Sequence, residues 1–166
     1  DDLSRGLGDV YKRQGKELAK LLEEKKNYNV IKCSRTKIKG FYKINLIDEK
    51  SISKAIFLIK KKYKRIDIVI NNAAEMSNIN HLDTDMKKIK KVFDTNFFSH
   101  YLINKLILKH MINKNIKGII INISSGSGLF SEGMNGTIDY CLSKSLINAM
   151  TYKFSKLIPK KIKIIA

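Results

Sequence analysis

One stretch, Gly118 to Lys144, restricts the folds open to this chain more than any other. It begins with Gly118–Ile123, a short apolar run rich in β-branched residues, which suits a buried strand. Ser124 and Ser125 follow where such a strand ends, then a glycine-rich loop, then a helix expected to begin near Tyr140. On that helix Tyr140 and Lys144 stand four residues apart and share a face. A serine hydroxyl, a phenol and an ammonium are thereby brought to the carboxyl end of a strand, where parallel α/β sheets bind their ligands.

The chemistry open to such a trio is specific. A free phenol titrates near ~10, too high for easy proton exchange at neutral pH. A neighbouring ammonium favours the phenolate and lowers that value. The tyrosine can then act as general acid or base on a carbonyl or alcohol. A serine hydroxyl can hydrogen-bond the same oxygen. Ser125, the second of the pair, is the candidate, with Ser124 and Ser127 as rivals. Spacing alone does not single out Tyr140, because Tyr-x-x-x-Lys recurs at Tyr28–Lys32, Tyr101–Lys105 and Tyr152–Lys156. Those pairs read as solvated or half-buried helix neighbours. Context distinguishes Tyr140: strand, Ser-Ser, glycine-rich loop, then Tyr-x-x-Ser-Lys.

These residues resemble the short-chain dehydrogenase/reductase family. The likeness extends backwards from Tyr140. Ile66–Asn71 followed by Asn72, Ala73 and Ala74 is similar to the family's fourth strand and its Asn-Asn-Ala-Gly motif, with Ala74 where the glycine usually stands. Asn96, in the run DTNFF, falls where the family has a helix asparagine. The resemblance covers Gly15 to Ala166. It implies a catalytic set of Asn96, Ser125, Tyr140 and Lys144. Asn96 would bind a water connecting Lys144 to solvent, and Lys144 would also hold the nicotinamide ribose. The expected fold is α/β, a Rossmann-like doubly wound parallel sheet in three α/β/α layers, incomplete at both ends.

Taken in order, the chain supplies most parts of that fold. Gly15–Ala19 opens an amphipathic helix with Leu18, Leu21 and Leu22 as its apolar face. The resemblance makes Gly15 the last glycine of the family's phosphate-binding turn, which receives a pyrophosphate through backbone N–H groups at a helix N-terminus. The preceding strand and glycines are absent, and Asp1–Gln14 reads as an atypical leader ahead of a partial NAD(P)-binding domain over residues 15–166. In the family's strand order the missing strand is central, so strands two and three are expected to lack a direct partner in the other half of the sheet.

Asn29–Cys33 suits strand two, ending in Ser34-Arg35-Thr36. An acidic residue there would accept a ribose 2′-OH, whereas an arginine suits a 2′-phosphate. The resemblance therefore implies NADP rather than NAD, with Ser34 and Arg35 as contacts. Phe41–Leu46 suits strand three, and Asn45-Leu46 occupies the place of the family's adenine-contacting pair. Asn72, Ala73, Ala74, Tyr140 and Lys144 complete the cofactor set. Glu49–Lys62 reads as a helix with Ile52, Ala55, Ile56 and Ile59 inward. Met86 to about Lys114 reads as one long helix whose inward stripe includes Ile89, Val92, Phe93, Phe97, His100 and Met111. The last helix is expected to stop near Pro159, and Lys161–Ala166 resembles strand six.

Composition bounds the remainder. The 166 residues suffice for one domain with a core. Cys33 and Cys141 are the only cysteines, and no secretory signal or spanning apolar run occurs, which points to a reduced, cytoplasmic protein without a membrane partner. His81, His100 and His110 lack metal-ligand spacing. The formal charge of +18 raises nucleic acid as a partner. The lysines are dispersed rather than clustered, as composition alone would give, so no specific nucleic acid is expected. The parent protein is expected to be a homo-oligomer acting on a small carbonyl or alcohol. The competing readings are a non-catalytic remnant and a basic nucleic-acid-binding protein.

Overall fold

The computed structural model describes residues 14–25, 27–77, 82–129 and 137–166. The leader assigned to Asp1–Gln14 lies outside these residues, Gln14 excepted. The element order is α1 (residues 14–24), β1 (Cys33–Ser34), β2 (Tyr42–Lys43), α2 (Glu49–Tyr63), β3 (Ile68–Asn71), α3 (Met86–Phe93), a π-helical turn (Asp94–Phe98), α4 (Ser99–Asn113), β4 (Ile119–Asn122), a 3₁₀ turn (Gly126–Gly128), α5 (Ile138–Leu157) and β5 (Lys163–Ile165). Among the described residues all strand pairing is parallel: β1 pairs with β2, and β3, β4 and β5 form a second sheet in that order. Parallel neighbours joined by helical crossovers make this an α/β fold of the Rossmann type.

Among the described residues the two sheets share no ladder. Strands two and three are shorter than their apolar runs. Val30 and Ile31 have suitable β-branched side chains, but a strand exists only where a neighbour pairs with it. The ladder reaches only Cys33–Ser34 against Tyr42–Lys43.

The core lies on one face of the larger sheet. Ile52, Ile56 and Ile59 of α2 and Ile103, Ile107 and Met111 of α4 meet Ile120 and Ile164 there. The four inward positions expected on α2 are all buried. Asp48 caps that helix, accepting from the Lys50 and Ser51 amides at 2.9 and 3.2 Å. Along β4, Ile120 and Asn122 are buried while Ile119 and Ile121 are only half-buried. The opposite face is therefore more open than a strand covered on both sides. On α1, Leu18 and Leu22 are half-buried, but Leu21 is 56% exposed and does not belong to the apolar face.

The helix expected from Met86 to Lys114 is interrupted. Asp94–Phe98, which contains Asn96, forms a π-helical turn between α3 and α4. Such bulges widen a helix locally and recur at functional sites. The last helix starts at Ile138, two residues before Tyr140, and ends at Leu157, ahead of Pro159.

Candidate active site

The candidate residues gather at the carboxyl ends of β3 and β4. Lys144 is 1% exposed, and its Nζ donates to the Ile123 carbonyl just beyond β4 at 2.7 Å. The same Nζ lies 5.6 Å from the centre of the buried Tyr140 ring. Burial drives the Lys144 ammonium down from 10.5 to about 8. An amine with this value remains charged at neutral pH, over the Tyr140 ring.

Close packing fixes the turn that bears the serines. A Cβ on Gly128 would sit 2.7 Å from the Lys144 carbonyl carbon, so only glycine allows this approach to α5. Ser145 Oγ and Asn148 Nδ2 both donate to the Gly128 carbonyl, at 3.0 and 3.2 Å. Ser125 begins the turn in extended backbone, its Oγ accepting from the Ser127 amide at 3.2 Å. Half-buried Ser124 donates from its Oγ to the Lys144 carbonyl at 3.5 Å. Ser124 is thereby used in packing the turn.

Asn96 is buried within the π turn, and its amide is committed to protein partners. Oδ1 accepts from the Glu75 amide at 2.7 Å. Nδ2 donates to the Glu75 carbonyl at 2.8 Å and to Ser143 Oγ at 2.9 Å. Ser143 Oγ in turn donates to the Tyr140 carbonyl at 2.8 Å. Asn96 thus ties the segment after β3 to the helix bearing Tyr140 and Lys144. Both amide donors are used, so the Nδ2 group has none left for a water.

The expected cofactor contacts fall in two groups. Gly15, at the start of α1, lies against Asn72: a Cβ there would come within 2.9 Å of Asn72 Nδ2. Ala73 and Ala74 continue from Asn72 towards the Asn96 clamp. In the other group, Arg35 is exposed in the bend after β1, beside a 3.2 Å Ser34 Oγ–Thr36 Oγ1 contact. Asn45 and Leu46 follow β2, and the Asn45 amide donates to Ser51 Oγ at 2.9 Å. A groove of about 320 Å³ opens beside Leu46, lined also by Ile52, Asp94, Phe98 and Leu102.

Sequence reasoning missed a buried polar network behind the site. Asn71 and Asn122, the last residues of β3 and β4, pair in register. Asn71 Nδ2 donates to Asn122 Oδ1 and to Asn104 Oδ1, both at 2.8 Å. Asn104 Nδ2 reaches Asn122 Oδ1 at 3.2 Å, and Asn122 Nδ2 donates to Thr151 Oγ1 at 2.9 Å. The available signal was spacing, since Asn96, His100 and Asn104 recur every fourth residue on one helix face. His100, read only as part of an inward stripe, is buried with Nε2 3.2 Å from the Ala73 carbonyl.

The fold with these elements is that of a Rossmann-type α/β protein carrying a Tyr–Lys helix at the carboxyl edge of its sheet. Comparison with known proteins makes this more particular. Residues 9–166 match the family described as short chain dehydrogenase. Human epidermal retinol dehydrogenase 2 is 31% identical over 140 residues, covering 83% of this chain and 41% of that protein. The 3-oxoacyl-[acyl-carrier-protein] reductase FabG of Rickettsia prowazekii is 30% identical over 156 residues, covering 92% of this chain and 62% of that protein. The structure of ElxO with NADP bound superposes with a TM-score of 0.79 at 29% identity, over 89% of this chain and 65% of that one.

The chain belongs to the short-chain dehydrogenase family, whose members are NAD(P)-binding oxidoreductases. It spans less than half the length of human epidermal retinol dehydrogenase 2. Among the described residues no helix is long and apolar enough to cross a membrane.

Proposed function

We propose that this chain carries the cofactor and proton-transfer site of an NADP-dependent carbonyl reductase or alcohol dehydrogenase acting on a small molecule. The observation that carries the reading is the buried Lys144 ammonium. It is held by the Ile123 carbonyl at the end of β4, with the Tyr140 ring 5.6 Å away. Gly15 and Asn72, two of the expected cofactor contacts, lie against each other at the start of α1 and the end of β3, which supports a common cofactor edge. NADP, when bound, supplies or accepts the hydride.

The chain's own residues handle the oxygen and its proton. Tyr140 protonates the oxygen in reduction and takes the proton back in oxidation. The Lys144 charge favours the Tyr140 phenolate, and its ammonium would hold the nicotinamide ribose. Ser125 hydrogen-bonds the reacting oxygen. Asn96 positions Tyr140 through Ser143 and fixes the backbone at Glu75. Arg35, exposed after β1, would receive the 2′-phosphate of NADP through its planar donor fork. ElxO, bound to NADP in its structure, supports this choice of cofactor.

The test is an NADPH-oxidation assay with a panel of small ketones and aldehydes. The expected result is substrate-dependent loss of NADPH absorbance that Lys144→Met removes. NADPH binding without turnover of any substrate would favour a non-catalytic binding protein.

A further inference from the structure

The segment that leaves β3 is tied to the last helix at two places. One is the Asn96 side chain, which holds both backbone groups of Glu75 and reaches Ser143. The other joins residues 62 apart in the chain: Ser77 Oγ donates to Asp139 Oδ1 at 2.8 Å. Asp139 directly precedes Tyr140 and is 5% exposed. Its Oδ2 is buried without a partner, so the bond from Ser77 is the one hydrogen bond of this carboxyl group among the described residues. The carboxyl group lies in the first turn of α5, where the unpaired amides of a helix start favour negative charge.

The two ties bracket Tyr140, with Asp139 before it and Ser143 after it. The first turn of α5 needs such support. Thr137 stands at the N-cap position but makes no side-chain cap hydrogen bond. A helix start without its cap is less stable, and fraying here would carry Tyr140 with it. The support itself is held from outside, because Lys91 Nζ pairs with the Glu75 carboxylate at 3.1 Å. We propose that Asp139 is a positioning residue for Tyr140. Through Ser77 it moors the first turn of α5 to the segment that continues from Asn72, Ala73 and Ala74. The phenol is thereby fixed relative to the cofactor edge from the side opposite the Asn96–Ser143 tie. Asp139 itself exchanges no proton with the substrate. This inference rests on the reading of Tyr140 as proton donor, but the mooring is tested without turnover.

The test is amide hydrogen exchange read by NMR. The Cys141 amide donates to the Thr137 carbonyl at 2.9 Å and reports on the first turn of α5. Ser77→Ala, a change on the other segment, should speed its exchange about fivefold, the worth of one net hydrogen bond. Asp139→Ala should speed it at least as much, and the double variant no further than Asp139→Ala alone. Asp139→Asn keeps Oδ1 as an acceptor and should leave exchange nearly unchanged. The Ile52 amide, bonded to the Asp48 carbonyl at 3.0 Å in α2, is the control and should not respond. Unaltered Cys141 exchange in Ser77→Ala would overturn the proposal, as would effects that multiply in the double variant. These results are read whether or not the chain turns over substrate, which separates failure here from failure of the proposed function. In the activity assay, Ser77→Ala and Asp139→Ala should each lower kcat on the order of tenfold with little change in KM, and Asp139→Asn should retain most of it. Equal losses in Asp139→Ala and Asp139→Asn, or a change in KM alone, would contradict a positioning role.

Discussion

Removing the Lys144 charge should change how stability depends on pH. The folded-state pKa of Lys144 is about 8 against 10.5 for an ordinary lysine, with burial as the cause. Below pH ~8 the amine is protonated in both states, and the fold bears the full cost of a buried charge. Between about 8 and about 10.5 the folded chain holds a neutral amine while the unfolded chain remains protonated. Unfolding then takes up a proton, so stability rises with pH through that window. Above it, the amine is neutral in both states. A gap of roughly 2.5 in pKa corresponds to about 3 kcal/mol. Lys144→Met removes this dependence but leaves the Ile123 carbonyl without its donor, a loss of about 1–3 kcal/mol. The two variants should therefore be close in stability at pH 7. The wild-type chain should gain about 3 kcal/mol on the variant by pH ~10.5. Urea unfolding of both proteins at several pH values reads the difference, and the many surface lysines common to both cancel. A flat difference across pH 8 to 10 would mean that the Lys144 pKa is not depressed.

The remaining outcomes test other parts of the site. Ser125→Ala should remove more carbonyl reduction than Ser124→Ala or Ser127→Ala in the NADPH-oxidation assay, and a larger loss at Ser127 would reassign the role. Arg35→Ala should weaken NADPH binding far more than NADH binding by calorimetry, whereas equal losses would detach Arg35 from the 2′-phosphate. Asn122→Ala should destabilise the chain by about 3 kcal/mol in urea unfolding, because Asn71, Asn104 and Thr151 each lose a buried partner. A change below about 1 kcal/mol would mean that the network is dispensable.

The helices, and the shared face of Tyr140 and Lys144, were readable in the sequence because their signals are local. Ile52, Ala55, Ile56 and Ile59 announce α2 through their period, and Tyr140 and Lys144 share a helix face by spacing alone. Strand extents were less readable. Asn29–Cys33 and Phe41–Leu46 have the composition of strands, but pairing depends on a neighbour that periodicity cannot reveal. The π turn at Asp94–Phe98 was hidden for a related reason. It preserves the inward stripe while shifting the hydrogen-bond ladder, and DTNFF carries no breaker residue. The Asn71–Asn104–Asn122 cluster joins positions 33 and 51 residues apart. In a chain rich in asparagine, no single member stands out. The role of Asn96 was also less legible than its place, since only the contacts with Glu75 and Ser143 reveal that its amide is consumed by the protein.

The central claim is that Tyr140 is the proton donor to a carbonyl oxygen reduced at the expense of NADPH. The most direct measurement compares Tyr140→Phe with the unaltered chain for kcat and for NADPH affinity under the same conditions. Phe keeps the ring and its packing and deletes only the hydroxyl. Loss of a general acid costs ~10²–10⁴ in rate. The account predicts a fall in kcat of that order with NADPH affinity nearly unchanged. A Phe variant that retained full kcat would contradict it.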